Sequence, residues 1–224
     1  LRVEAPTDHF RAMTGLLVQP PLPVTESARS LLGYVVFGAP ADSIAATMQR
    51  VERSLESYVP SGNRALVREA VLNPPLQLVY PVAPALALQR EGGSGDYLLD
   101  VQRAASKHDT ASVHRQLIAV GRMRALDRPG ELSIYLTYQE AWLQLQVGDT
   151  VAATRQLDAS LTALPALGPY LLDYVQDAGF LVRAMALRSD LASKSGDQHT
   201  AERWAGAVSE LWAGADAPLQ SEVA

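Results

Sequence analysis

Val147-Gly-Asp-Thr-Val-Ala-Ala-Thr-Arg-Gln-Leu-Asp-Ala-Ser-Leu-Thr-Ala-Leu-Pro165 reads as a turn, then the second helix of a pair, then a stop. Two other stretches align with its start: His108-Asp-Thr-Ala-Ser-Val-His-Arg-Gln-Leu-Ile-Ala-Val120 and Gly196-Asp-Gln-His-Thr-Ala-Glu-Arg-Trp-Ala-Gly-Ala-Val208. Asp109, Asp149 and Asp197 occupy one position, Arg115, Arg155 and Arg203 another six residues later, and small or apolar residues fall at matching offsets. This is an internal repeat, and it predicts stacked helical units.

Outward from the repeat, the apolar pattern predicts helices over 96–106, 109–126, a stretch ending at Val147, 150–164, a longer one ending at Ser195, and 198–212. Turns fall at Arg128-Pro129-Gly130 and from Pro165 to Pro169, so six helices form three antiparallel hairpins across 96–224. Ahead of them, residues 76–95 carry Pro81, Pro84 and Gly92-Gly-Ser-Gly95 and read as a connector holding one short helix, 83–90. Residues 1–75 form an irregular helical region. It holds a short helix over 8–17, a proline-rich bend, and a buried helix over 27–37 opened by Thr25 and Glu26 and closed by Gly38. A strand competes for 33–37. Asp42 is the expected N-cap of an amphipathic helix to Val59, and a last helix over 64–72 is expected to end at Asn73-Pro74-Pro75.

The 224 residues can bury a sizeable core, and 48% hydrophobic with 19% charged residues fits an ordered chain rather than a disordered tail. A net charge of −5 with scattered basic pairs argues against nucleic acid as partner. The absence of Cys excludes disulfides and thiolate metal sites in either redox compartment. The longest apolar tract, 76–88, is interrupted by Pro81 and Pro84 and is too short to cross a bilayer. The chain opens on Leu1 without a basic-then-apolar leader, which is expected of a fragment of something longer.

A helix, a Gly-Asp turn, a small residue early in the next helix and a closing Pro resemble the tetratricopeptide repeat. The offsets are Val113/Leu117/Val120, Ala153/Leu157/Ser160 and Ala201/Ala205/Val208, with Pro165 in the place of that family's terminal proline. The likeness covers 96–224 and is stronger in second helices than in first. The spacing between turn aspartates is 40 and then 48 residues, against about 34 in the regular family. The resemblance implies an all-α fold of antiparallel hairpins, stacked as a tetratricopeptide-like solenoid or as a helical bundle. The Ala-Leu-Arg-rich stretch from Ala184 onward is also similar to the tetratricopeptide-like tails of some large bacterial serine/threonine kinases. No kinase Gly-rich loop, catalytic loop or Asp-Phe-Gly is found here.

No catalytic constellation emerges. His9, His108, His114 and His199 lie far apart and none falls in a zinc-binding spacing, so the expectation is no metal and no cofactor. Gly92-Gly-Ser-Gly95 lacks the Lys-Ser/Thr of a phosphate loop, and no serine sits in a nucleophile elbow. The acidic pairs Asp96/Asp100 and Asp173/Asp177 read as solvated first-turn charges or as a cation site.

Tyr135, Tyr138 and Trp142 form an aromatic strip on the first helix of the middle hairpin. In tetratricopeptide modules first helices line the peptide groove, so Tyr135, Tyr138, Gln139 and Trp142, with Arg103 and Asp190 from the neighbouring hairpins, are the candidate partner-binding face. The competing reading makes Tyr138, Trp142 and Leu145 a packed core stripe. Arg115, Arg155 and Arg203 would either line into a basic ridge for an acidic partner or be solvated and paired with nearby acids.

The expectation is therefore a non-enzymatic interaction or scaffold module that binds a protein or peptide and is open to homo-oligomer formation. The alternative is an extracytoplasmic ligand-sensing region of a membrane-anchored bacterial kinase, binding near 74–95. Failing that, a cytoplasmic location is expected.

Overall fold

The computed structural model describes residues 20–89, 97–124, 134–167 and 175–211, and no strand occurs among them. The all-α expectation holds. The chain divides between Arg90 and Glu91 into two units. The expected helix over 8–17, Gly92-Gly-Ser-Gly95, the turn 128–130, Pro169 and Trp212 lie outside the described residues.

The first unit contains α1 (Leu22–Val36), α2 (Ala41–Tyr58), α3 (Ser61–Leu78) and the single turn α4 (Pro84–Ala87). Residues 33–36 are helical, which rules out the competing strand. The helix starts differ from the sequence expectation. Prolines Pro21, Pro40 and Pro60 sit at the N-caps of α1, α2 and α3, with ψ near 147°, 143° and 141°. Proline's fixed φ presets the entry, its missing N–H is no loss there, and its carbonyl takes the first helical bonds from Val24, Ser43 and Asn63. Asp42 is thus a first-turn residue beside the helix dipole rather than the cap, and α1 and α3 begin earlier than expected.

The helix α3 also runs through Pro74 and Pro75 to Leu78. Two prolines remove two helical hydrogen bonds, yet Leu72, Pro75, Leu76 and Leu78 continue its buried stripe, and that burial outweighs the loss. Side chains tie the helices together. Ser27 and Ser54 meet at 3.3 Å between α1 and α2, while Glu52 accepts from Arg68 at 2.8 Å. Arg64 donates to the carbonyls of Glu56 and Val59, closing the end of α2.

The second unit contains α5 (Tyr97–Ser106), α6 (Thr110–Arg124), α7 (Ile134–Gln146), α8 (Thr150–Leu167), α9 (Val175–Ser195) and α10 (Gln198–Leu211). They pair as α5/α6, α7/α8 and α9/α10, and each hairpin leans on the next through its first helix, α5 on α7 and α7 on α9. Pro165 lies inside α8 rather than ending it, two residues before the last helical residue, Leu167.

The three hairpin turns are one structure made three times. His108, Gly148 and Gly196 take the left-handed conformation, φ 56°, 83° and 82°. Their N–H groups bond the carbonyl three residues back, to Ala105, Leu145 and Ser193. The next N–H, of Asp109, Asp149 and Asp197, reaches five residues back to Ala104, Gln144 and Ala192 at 3.0, 2.9 and 2.9 Å. This pairing satisfies the last carbonyls of the first helix. The same aspartates then cap the second helix: their Oδ1 atoms accept from the N–H of Ser112, Ala152 and Thr200 at 3.0, 2.9 and 3.1 Å. Hydrogen bonds from the side chain and backbone of Ser112 hold the Asp109 carboxyl below its ordinary 3.8, and Thr200 does the same for Asp197. A depressed native pKa means the unfolded chain binds the proton first. The caps' contribution is therefore full above the ordinary aspartate range and is lost as pH falls below it.

Within the second helices, Val113, Leu117 and Val120, then Ala153, Leu157 and Ser160, are buried as the repeat predicts. The third hairpin departs from it. Ala201 and Val208 are buried but Ala205 is exposed, because the larger Trp204 one position earlier fills the contact on the same helix face.

His108 is the one turn residue with a side chain. An L-residue there costs about 1–2 kcal/mol of backbone strain, part of which glycine's greater unfolded freedom would offset. The variant His108→Gly should therefore gain about 0.5–1 kcal/mol in urea unfolding. Gly148→Ala should lose about 1 kcal/mol, although its Cβ would meet nothing within 4 Å.

Candidate functional site

The first helices α5, α7 and α9 carry the residues expected to face a partner, and the structure divides them. Tyr138 is 7% exposed and Gln139 fully buried, so both belong to the interior of the second unit. The Tyr138 ring lies 5.4 Å from that of Phe180 on α9, at 43°, and the Arg183 guanidinium sits 4.9 Å from the Tyr138 centroid and 5.4 Å from that of Phe180. This ring and cation stack fastens the middle hairpin to the last. The core-stripe reading therefore describes Tyr138, while Trp142 and Leu145 are half-buried. The side chain of Tyr135 lies outside the described residues.

Arg103 and Asp190 are exposed on α5 and α9. Arg103 pairs with Asp100 one turn earlier, at 3.9 Å. Trp142 and Asp190 both lie seven residues before a turn aspartate and Arg103 six, so Trp142 and Asp190 hold equivalent positions on their first helices and Arg103 the next one along.

On the second helices Arg115, Arg155 and Arg203 are all exposed. Arg115 donates to the Ser112 hydroxyl at 2.9 Å, and the Arg203 guanidinium lies 4.7 Å from the Trp204 ring. Trp204 is itself buried and seals the last hairpin.

Several cross-hairpin contacts were not anticipated. Arg188, 8% exposed, donates through Nε and Nη2 to both Asp158 oxygens at 2.6 and 3.3 Å, joining α8 to α9. His114 Nε2 stands 3.4 Å from Asp149 Oδ2 without completing a hydrogen bond, which places α6 against the cap of α8. Within hairpins, Thr137 meets the Ser160 hydroxyl at 3.1 Å, Gln156 donates to Glu140, and Ser189 donates to the carbonyl of Ala201. A sequence signal for part of this existed: nine residues before each turn aspartate stands a charged residue, Asp100, Glu140 or Arg188.

Among the described residues no three His, Asp or Glu side chains gather within reach of a metal ion. Asp96 and Asp173 lie outside them, while Asp177 is in the first turn of α9. No described helix is long and apolar enough to cross a membrane. No protein-family model matches the sequence, and comparison with curated proteins and with solved structures gave no match.

The Asp158–Arg188 pair is asymmetric, since the aspartate side chain is 46% exposed and the arginine 10%. Removing the acid strands a buried cation, whereas removing the cation leaves an acid that water can reach. Asp158→Ala should cost about 1–3 kcal/mol in chemical denaturation and Arg188→Met less than about 1 kcal/mol. Equal losses would contradict this.

Proposed function

We infer that this chain is a protein-interaction module built of tetratricopeptide-like hairpins, which binds a protein or peptide segment. The observation that carries the reading is the consecutive packing of α5, α7 and α9, which puts three first helices side by side, with Arg103, Trp142 and Asp190 within one residue of equivalent positions in their hairpins. Such a row offers a cation, a large partly covered ring and an anion to one extended or helical segment. A tryptophan flanked by opposite charges is the kind of anchor on which interface energy concentrates. Tyr138 and Gln139 contribute by fixing α7 against its neighbours rather than by touching the partner.

Panning a random displayed-peptide library against the purified chain tests the reading. The expected result is an enriched peptide family whose affinity falls at least about tenfold on Trp142→Ala, while the melting temperature moves by no more than a few degrees. A library that yields no enriched family overturns the reading. So does a Trp142→Ala variant that unfolds, which would make the ring a core residue.

A further inference from the structure

We propose that the outer face of α6, with the start of α8, is a second docking surface, and that its occupant is an acidic amphipathic helix of a protein partner. The proposal is independent of the first-helix face.

In a chain of net charge −5, α6 holds Arg115, Arg122 and Arg124 and no carboxylate over its whole length. Arg115 bonds the Ser112 hydroxyl and its charge also acts on the Asp109 carboxylate at the start of the helix, while among the described residues no carboxylate pairs with Arg122 or Arg155. Among the described residues α6 is therefore a net positive helix whose Arg122 has no acidic partner. The helix period places exposed Ala111, Arg115, Ile118, Ala119 and Arg122 within an arc of about 100°. Ile118, 55% exposed, lies at one edge of that arc and, along the axis, between the two arginines.

The apolar part continues onto α8. Val151, 69% exposed, lies two residues past Asp149, and Ile118 lies one turn past His114. The 3.4 Å approach of His114 to Asp149 brings the first turn of α8, which carries Val151, beside the helix that carries Ile118. Gly121 adds an independent sign. It is exposed in the interior of α6, where glycine is unfavourable, and a Cβ there would meet nothing within 4 Å. Among the described residues no packing accounts for it, whereas a partner backbone approaching beside Ile118 would.

The chemistry selects the occupant. Arg115 and Arg122 are two turns apart, about 10.5 Å along the axis. That spacing suits carboxylates seven residues apart on a facing helix, with a leucine-sized side chain between them over Ile118 and Val151. Two or three arginines on a net acidic molecule are a poor footprint for a nucleic-acid backbone. A face with so few large apolar side chains is likewise a poor membrane anchor.

The test is fluorescence anisotropy with the full chain at low salt. The probe is a labelled synthetic peptide with glutamates seven residues apart bracketing leucines. Competitors are a lysine-for-glutamate version, an oligoglutamate, a single-stranded oligonucleotide and phosphatidylserine vesicles. Saturable binding of the glutamate–leucine peptide is expected. It should weaken at least about tenfold in Arg115→Gln/Arg122→Gln and in Ile118→Asp, with circular dichroism unchanged, and persist in Arg29→Gln on the other unit. Absence of binding, equal binding of oligoglutamate, preference for the oligonucleotide or vesicles, or an equal loss in Arg29→Gln would each overturn the proposal.

Discussion

The second unit depends on the way its chain reverses direction. Ending one helix and starting another leaves four carbonyls and four amides without helical partners, and a short connection has little room to satisfy them. Here two residues do most of it. The left-handed residue lets two amides turn back onto the last carbonyls, and the aspartate that donates one of those bonds then accepts from the third amide of the next helix. Because the turn is so short, the two helices must lie antiparallel and close, and this sets which faces they share.

A hairpin formed this way still exposes an apolar stripe on its first helix, which the next hairpin covers. The joints differ in chemistry. Between the middle and last hairpins, the stack of Arg183 on Tyr138 and Phe180 combines with the Asp158–Arg188 pair. Between the first and middle, His114 approaches Asp149 at 3.4 Å without completing a hydrogen bond.

The turn aspartates and the buried offsets of the second helices were legible in sequence because local rules govern them: a cap needs a short acceptor, and a close helix contact needs a small side chain. Helix ends in the first unit were not. Local rules make proline a stop or a bend, whereas Pro21 caps α1 and Pro74 and Pro75 lie within α3, where burial of Leu76 and Leu78 overrides the lost bonds. The repeat offset puts Ala205 in the contact, but the larger Trp204 beside it is the residue buried there. The interior position of Tyr138 and Gln139 required the neighbouring helix α9, whose contacts no local pattern encodes.

Backbone amide hydrogen exchange on the intact chain tests the shared turn most directly. The amides of Asp109, Asp149 and Asp197, each bonded to a carbonyl five residues back, should be protected together with those of Ser112, Ala152 and Thr200. The flanking helices should be protected on both sides of each turn. Exchange at unfolded-chain rates for these six amides, or protection at one turn alone, would contradict the account of three equivalent hairpins.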